Sequence, residues 1–479
     1  MKLKDRSYLA EAMVGPYEDG EGHIDMKRLR NMSTTFSGWT GWSCFAVLSL
    51  GACDQVDQIS NELRDLTPHE AYMESLRAVK LAETALGTQW ATAAVRSLRD
   101  APTVTLPFGE EGFLFAETPE ARSYRVELRR GQRLSINAAL DGGDAFRIFI
   151  DVYRMPEDPS RSPLPVLSSA SLSESLEYVS TRRADYVVRL QPELLHGGRY
   201  RIELRAGASI AFPVSERDTR AVLSFFGDAR DGGSRNHRGV DIFAPRGTPV
   251  LSATNGEVYR VETTAIGGNV VWVRDSDRPQ RIYYAHLDSQ VVRDGMEVEQ
   301  GTLLGFVGNT GNARTTPPHL HFSVYARGAV DPFYYLFQPP QTLPDASAPL
   351  DHLGAWTRTV SAGIRLREAP NNRAPVVSEL EESTPLRVLA ASGSWYRVRL
   401  PNGRDGFVAA RLTEAVVEPL RNQFVESASA LFSSPSRVSP VMEDVEAGTD
   451  VAVLGSYEGF LYVQSPDGHT GWLAGNADL

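Results

Sequence analysis

Residues 316–325 read TPPHLHFSVY, an alternating apolar stretch that predicts a buried β-strand and places His319 and His321 two positions apart. In a strand, side chains at i and i+2 project from the same face, so both imidazoles point into one small space. This geometry is typical of a metal site. The alternative is a pair of hydrogen-bonded histidines on a half-exposed strand, and the choice depends on the rest of the chain.

Four of the nine histidines lie between residues 237 and 321. The stretch NHRGVDIFAP contains His237 and Asp241, and a bend at Gly239 lets the imidazole and the carboxylate converge. A further stretch, YYAHLDS, contains His286. Imidazole and carboxylate are usual zinc ligands, and a catalytic zinc site needs only three protein ligands because water takes the fourth position. Two histidines and one aspartate can therefore hold the ion, which leaves two histidines free to act on the water or on an oxyanion.

Five separated motifs span this part of the chain: HRGVD (237–241), GGNVV (267–271), YYAHL (283–287), VEQGTLLGFVGNTG (298–311) and PHLHF (318–322). In this order they resemble the LytM/lysostaphin-type zinc metallopeptidases, family M23, over residues 220–337. The resemblance implies that His237, Asp241 and His321 bind one Zn²⁺ and that His286 and His319 form the catalytic pair. Some lipoproteins of that family have lost ligands and activate cell-wall amidases. No ligand is missing here, which favours an active enzyme.

Length and composition limit the remaining possibilities. A chain of 479 residues is too long for one hydrophobic core, and the usual domain size predicts roughly three domains. With 42% hydrophobic and 23% charged residues, the composition is that of an ordinary globular protein. The formal net charge of -11 argues against a nucleic-acid partner, because no surplus of lysine and arginine is available to neutralise phosphates.

The N-terminal region, residues 1–53, has the layout of an export signal. A basic cluster precedes an apolar run over residues 39–50, which is too short for a membrane span. The ending Leu-Gly-Ala-Cys resembles a bacterial lipobox, which implies lipidation of Cys53 and anchoring to a membrane, with Cys44 lost. A hydrophobic core helix is the alternative, and the long acidic extension before the basic cluster is untypical of a signal.

Residues 54–100 are predicted to form a helical stalk or packing element. The capping-box residues Thr67 and Glu70 flank a proline at the first helical position. Apolar residues then recur at helical spacing until Gly87, which we expect to interrupt the helix, and a second short helix is predicted over residues 89–98.

Over residues 101–216 the hydrophobic period changes to two, which predicts a β-sandwich. The clearest strands are YRVEL (124–128), RLSINAAL (133–140), FRIFIDVY (146–153), YVVRL (186–190) and YRIEL (200–204). This order resembles bacterial pre-peptidase C-terminal domains, and it contains no candidate catalytic residues.

A proline-rich linker, residues 339–354, precedes an internal repeat. Leu366, Pro370, Thr384 and Gly406 recur 65 positions later as Leu431, Pro435, Thr449 and Gly471. Each unit, residues 355–416 and 417–479, is strand-rich and closes with a P-[ND]-G turn, so the two resemble bacterial SH3-like barrels. The second unit has Phe460 and Leu461 where the first has Trp395 and Tyr396, so its ligand groove is expected to differ.

Together these features predict a mainly β, multidomain lipoprotein of the bacterial cell envelope: a short helical segment, a β-sandwich, an antiparallel-sheet zinc peptidase domain at 217–338, and two SH3-like barrels. The expected activity is hydrolysis of the peptide part of peptidoglycan. The alternative function is that of a wall-binding scaffold that cuts nothing or of an activator of a cell-wall amidase. The sequence does not identify a regulatory protein partner. The zinc content of the purified protein would distinguish the peptidase from the non-cutting alternative.

Overall fold

The computed structural model describes residues 66–141, 147–171, 173–344 and 347–475. The predicted export signal and the predicted lipidation site, Cys53, lie outside these residues. Within the described part of the chain, no helix combines the length and the hydrophobicity needed to cross a membrane.

The helices are short and most of them precede the sheets. They are α1 (Pro68–Ala78), α2 (Ala85–Arg99) and α3 (Phe333–Leu336), with 3-10 turns at Leu81–Glu83, Thr219–Ala221, Asp231–Gly233, Gly311–Ala313, Leu350–His352 and Ala410–Leu412. The predicted capping box at Thr67 and Glu70 is confirmed, with both reciprocal hydrogen bonds formed.

The predicted break at Gly87 is wrong, because the chain turns earlier and α2 begins at Ala85. Thr84 caps α2 by accepting a hydrogen bond from the Gly87 amide, at 3.1 Å. Glycine is needed inside the helix because a Cβ there would overlap the backbone of Leu81 and Ala82.

Two antiparallel sheets follow the helices and enclose one apolar core. Their strands are β1 (Phe108–Leu114), β2 (Arg122–Leu128), β3 (Arg133–Asp141), β4 (Ile148–Arg154), β5 (Leu164–Ser171), β6 (Ser173–Val179), β7 (Ala184–Pro192) and β8 (Gly198–Gly207). One sheet has the order β2-β7-β4-β5, and the other contains β1-β8-β3-β6. All five strands predicted from the alternating pattern are confirmed, whereas β1, β5 and β6 were missed because they are rich in Gly, Ser and Glu.

The two helices pack on the sheet that contains β4 and β7. Trp90 Nε1 donates to the Pro192 carbonyl at 2.8 Å, and His69 Nε2 lies 2.7 Å from Gln191 Oε1. The Phe149 ring meets His69 edge-on. The helical segment is therefore a packed layer on the sandwich.

A separate ten-stranded antiparallel sheet, called the second sheet below because it lies outside the sandwich, begins after residue 221. Its region contains β9 (Val222–Ser224), β10 (Ala229–Arg230), β11 (Arg235–Asn236), β12 (Val240–Phe243), β13 (Pro249–Leu251), β14 (Gly256–Thr264), β15 (Gly268–Asp275), β16 (Arg281–Gln290), β17 (Met296–Val298), β18 (Leu303–Val307), β19 (His319–Tyr325) and β20 (Ala329–Val330). The main strand order is β17-β14-β15-β16-β19-β12-β9. One face of this sheet covers an apolar core, so the other face is available for polar chemistry.

The C-terminal region contains two units built from the same strands. They are β21 (Trp356–Thr359), β22 (Ile364–Arg367), β23 (Val376–Leu380), β24 (Pro385–Ser392), β25 (Trp395–Arg399), β26 (Asp405–Ala409) and β27 (Thr413–Ala415), then β28 (Arg421–Phe424), β29 (Ser429–Phe432), β30 (Val441–Val445), β31 (Asp450–Tyr457), β32 (Phe460–Gln464) and β33 (Thr470–Ala474). Each of β21 to β26 has a counterpart whose bounds lie 65 residues later, as the repeat in the sequence predicts.

The first repeat unit shares a sheet with the sandwich. Strand β24 pairs with β1 through Glu111 opposite Ala391 and Gly112 opposite Ala390. Beside this seam the buried Glu110 accepts hydrogen bonds from Tyr124 at 2.5 Å and from Tyr200 at 2.6 Å. The linker is docked as well, because Gln341 Nε2 donates to the Ala206 carbonyl at 2.9 Å.

Helix α3 holds the second sheet against the sandwich. A Cβ at Gly131 would overlap the Tyr335 ring, so the β2–β3 turn packs directly on α3. The backbone amide of Ser209 donates to the Tyr335 carbonyl at 2.9 Å, and Arg129 lies over the Tyr334 ring.

Candidate metal centre

Strands β12 and β19 bring the predicted site residues together on the open face of the second sheet. Asp241 lies directly opposite His321 in the register, and Phe243 lies opposite His319. Because alternate residues share a face, both histidines of the HLH motif point to the same side as the carboxylate. The spacing of His319 and His321 thus has the consequence predicted from the sequence.

His237 reaches the same point from the segment before β12. Gly239 lets the chain pass close to β19, since a Cβ there would overlap the Phe322 carbonyl oxygen and lie 2.9 Å from His321 Cε1. Three potential ligand atoms, one each from His237, Asp241 and His321, lie within 4.8 Å of one another. His237 and Asp241 are buried, and His321 is partly exposed.

Hydrogen bonds fix the orientation of the His237 ring. Its Nδ1 lies 2.8 Å from the Phe225 carbonyl oxygen, and because a carbonyl only accepts, Nδ1 carries the proton. The Nε2 lone pair then faces Asp241 Oδ1 at 3.0 Å and His321 Nδ1 at 2.9 Å. An acceptor facing an acceptor needs a proton or a cation between them.

The two remaining histidines flank this cluster. His286 Nδ1 lies 2.9 Å from the Thr310 carbonyl, and His319 Nδ1 lies 2.9 Å from the Pro317 carbonyl. Both rings therefore hold their proton on Nδ1 and keep Nε2 as an acceptor. The centroid of the His286 ring lies 5.1 Å from that of His319 and 5.8 Å from that of His321.

The backbone at His286 is strained, with a φ of 62°. Residues other than glycine rarely adopt this left-handed conformation. It costs free energy and persists only where the surrounding structure compensates for that cost. The His286 amide donates to the Gly267 carbonyl at 2.8 Å, which holds the residue in the β-bulge between β15 and β16.

Electrostatics favour a charged carboxylate among neutral imidazoles. Burial raises the pKa of Asp241, but its close contacts with the His237 and His321 imidazoles outweigh burial and hold the pKa well below its usual range. Burial, with repulsion from His321 and His319, lowers the pKa of His286 to about 4. Burial also lowers the pKa of His321. Near neutral pH these groups have the protonation states that metal binding requires.

Two residues at this site were missed by the sequence reasoning. Arg230 Nη2 donates to Asp241 Oδ2 at 2.7 Å, and Ser323 Oγ lies 2.9 Å from His321 Nε2. Such contacts orient ligand side chains. Ser323 continues the alternation of the HLH motif and could have been found from it, whereas no sequence pattern links Arg230 to the site.

The donor set suits zinc. Two imidazole nitrogens and one carboxylate oxygen form a three-ligand site of the kind found in catalytic zinc centres, and the facing acceptors of His237 and Asp241 are resolved by a cation. Two further imidazoles, those of His286 and His319, lie beside this cluster, and groups able to transfer protons beside a three-ligand site are the arrangement expected of a hydrolytic metal centre.

Two family models match parts of the chain. The model of peptidase family M23 matches residues 235–332, and that of the bacterial SH3 domain matches residues 362–414. The chain thus contains an M23 peptidase domain and a bacterial SH3 domain.

Curated relatives share this central part of the chain. The L-Ala--D-Glu endopeptidase of Bacillus subtilis is 34% identical over 156 residues, which cover 31% of this chain and 44% of the relative. The peptidoglycan DD-endopeptidase ShyC of Vibrio cholerae is 38% identical over 122 residues, 25% of this chain and 28% of the relative. The chain therefore spans less than half the length of each.

A further relative and one solved structure complete the comparison. The uncharacterized lipoprotein YgeR of Escherichia coli is 38% identical over 113 residues, 23% of this chain and 41% of the relative. The catalytic domain of lysostaphin from Staphylococcus simulans is 30% identical, with a TM-score of 0.23, and the match covers 25% of this chain and 94% of that domain.

Proposed function

We propose that residues 217–338 form a zinc-dependent endopeptidase that hydrolyses peptide bonds in peptidoglycan, in a stem peptide or a cross-link. The observation that carries the proposal is the convergence of His237, Asp241 and His321 within 4.8 Å. These three side chains would hold the ion. Zinc, when bound there, would act as a Lewis acid that polarises the scissile carbonyl and lowers the pKa of water.

The flanking histidines would move the protons. With Nδ1–H held by the Thr310 and Pro317 carbonyls, the Nε2 atoms of His286 and His319 are the free acceptors. One takes the proton of the attacking water as general base and passes it to the leaving amine, and the other, protonated from solvent, donates to the developing oxyanion. The lowered pKa of His286, about 4, keeps its ring neutral and able to accept a proton at neutral pH.

The substrate class follows from the relatives and from the C-terminal units. One curated relative is named as an L-Ala--D-Glu endopeptidase and the other as a peptidoglycan DD-endopeptidase, so we infer peptide bonds of peptidoglycan as the substrate class. The SH3-like units would bind the cell wall and raise the local concentration of the peptidase domain there. We place the protein in the bacterial cell envelope, anchored through a lipid at Cys53.

Parallel measurements of zinc content and muropeptide turnover test the proposal. Loss of a proposed ligand, in His237→Ala, Asp241→Ala or His321→Ala, should lower both zinc occupancy and turnover, because two ligands hold the ion poorly. In His286→Ala and His319→Ala zinc should stay, while turnover falls by a factor on the order of 100.

A matched control is His469→Ala, whose side chain is 65% exposed in the second repeat unit and should leave both quantities unchanged. If His319→Ala lost zinc while His321→Ala kept it, the two roles in the HLH motif would be reversed. A wild-type protein that holds zinc and releases no product from muropeptides would favour the wall-binding scaffold.

A further inference from the structure

Aromatic side chains form a continuous row on the open face of the second sheet. We call Tyr283, Trp272, Tyr325 and Tyr259 the aromatic strip. The Trp272 ring is the centre of the row, with centroid distances of 4.3 Å to Tyr283, 5.3 Å to Tyr325 and 6.0 Å to Tyr259. The four side chains come from β16, β15, β19 and β14, so the strip crosses the sheet.

The strip begins at the metal centre. The Tyr283 ring lies edge-on to the His321 ring, with 6.0 Å between centroids. Tyr325 is four positions after His321 on β19 and therefore shares its face, and Tyr283 lies opposite Ser323 in the register. A ligand that occupies the centre can thus extend along the strip without leaving the face.

Solvent reaches the strip. Its four aromatic side chains are half-buried, and Tyr259, Trp272 and Tyr325 line a shallow recess of about 350 Å³. Cross-strand aromatic pairs stabilise a sheet, which accounts for the contact between Trp272 and Tyr283. Stabilisation of the sheet does not require the basic side chains that complete the recess.

Arginines surround the aromatic rings in a chain whose net charge is -11. Arg274 and Arg281 lie over the Tyr259 ring, at 5.4 and 5.8 Å from its centroid. Arg274 also pairs with a glutamate at 2.9 Å. Arg281 and Arg327 line the recess. The Arg281 side chain also hydrogen-bonds Tyr259, and neither arginine forms a salt bridge among the residues that the structure describes. Their guanidinium groups are available to a carboxylate.

These features together specify a ligand chemistry. Sugar rings present a flat face of C–H groups that stacks on aromatic rings, and their hydroxyl and amide groups suit a half-wet surface with donors at its edge. An acidic sugar would add a carboxylate for Arg281 or Arg327. A purely apolar ligand would leave the arginines unused.

We propose that the aromatic strip binds the N-acetylated sugar rings of the glycan to which the cleaved peptide is attached, with Arg281 and Arg327 binding a carboxylate of that glycan. The proposal rests on the proposed function for the identity of the polymer. It adds a carbohydrate subsite to the peptidase domain and makes Trp272 a specificity residue for substrates that retain their sugar.

Calorimetric titration of the metal-free full chain with the disaccharide GlcNAc–MurNAc, whose lactyl group supplies a carboxylate, tests the inference. Trp272→Ala should weaken binding about tenfold through loss of stacking, and Arg281→Gln should weaken it by a similar factor. Neutral chitobiose should bind more weakly than GlcNAc–MurNAc to wild type and equally to wild type and Arg281→Gln. Val291→Ala, an exposed apolar residue of the same domain, is the matched control.

Wild-type affinity in both Trp272→Ala and Arg281→Gln, or no disaccharide binding by wild type, would overturn the inference. Arg281 is exposed, so Arg281→Gln decides the question if Trp272→Ala fails to fold. The titration needs neither zinc nor turnover. A protein that binds the disaccharide as expected but cuts no muropeptide would therefore refute the proposed function and leave the subsite standing.

Discussion

Gly239→Ala is the sharpest structural test of the metal centre, because it adds one methyl group beside His321 without removing a proposed ligand. The new Cβ would lie 2.9 Å from His321 Cε1 and would overlap Ser323 Oγ and the Phe322 carbonyl oxygen. Carbon atoms pack at about 3.5–4.0 Å, so the imidazole must move by roughly 0.6 Å or more. Metal sites tolerate displacements of about 0.2 Å. We expect zinc affinity to fall at least about tenfold.

Competition against a fluorescent zinc chelator would measure this loss of affinity, and thermal unfolding would report the strain, which we expect to destabilise the protein by about 1–3 kcal/mol. Gly328→Ala is the matched control, since a Cβ at Gly328 meets no atom within 4 Å in the same domain. Zinc affinity within twofold of wild type in Gly239→Ala would refute the packing argument.

Three further predictions concern other parts of the chain. Burial, with the nearby charge of Arg189, lowers the pKa of His69 from 6.5 to about 4, so protonation of the unfolded state should cost roughly 3 kcal/mol of stability as the pH falls from 6.5 to 4. Urea unfolding should show this loss in wild type and a flatter profile in His69→Gln. Metabolic labelling with a clickable fatty acid should mark wild type and spare Cys53→Ala, and equal labelling of both would exclude the lipid anchor. Truncation after Pro340 removes the strand that pairs with β1 and exposes the seam at Glu110, so calorimetry should show a lower unfolding temperature than truncation after residue 416; equal temperatures would contradict the shared sheet.

Much of the candidate site could be predicted because its chemistry is local. The alternation in HLHF places His319 and His321 on one face wherever that strand pairs, and the five residues from His237 to Asp241 need only one bend. The 65-residue repeat likewise predicts strands of matching length in both C-terminal units. Such features depend on a period or a short spacing, which a single sequence displays directly.

Contacts between distant segments could not be predicted in this way. The carbonyl groups of Phe225, Thr310 and Pro317, which set the proton positions on three histidines, are backbone atoms that any residue could supply. The pairing of β1 with β24 could not be predicted from the sequence for a related reason. Its register depends on tertiary packing, and β1 lacks the alternation that marked its neighbours.

The pairing of β1 with β24 in one sheet also fixes the distance between the sandwich and the first SH3-like unit. When two modules are joined by a flexible linker, the distance between them varies. The effective concentration of one module near a target bound by the other then depends on linker length. Here hydrogen-bonded strands join the first SH3-like unit to the sandwich, and α3 seats the metal centre on the same sandwich through Tyr335 and Gly131. A polymer bound by that unit would reach the candidate metal centre at one set distance. Under the proposed function, this fixed distance would select the bond to be cut by its position along the polymer as well as by its chemistry.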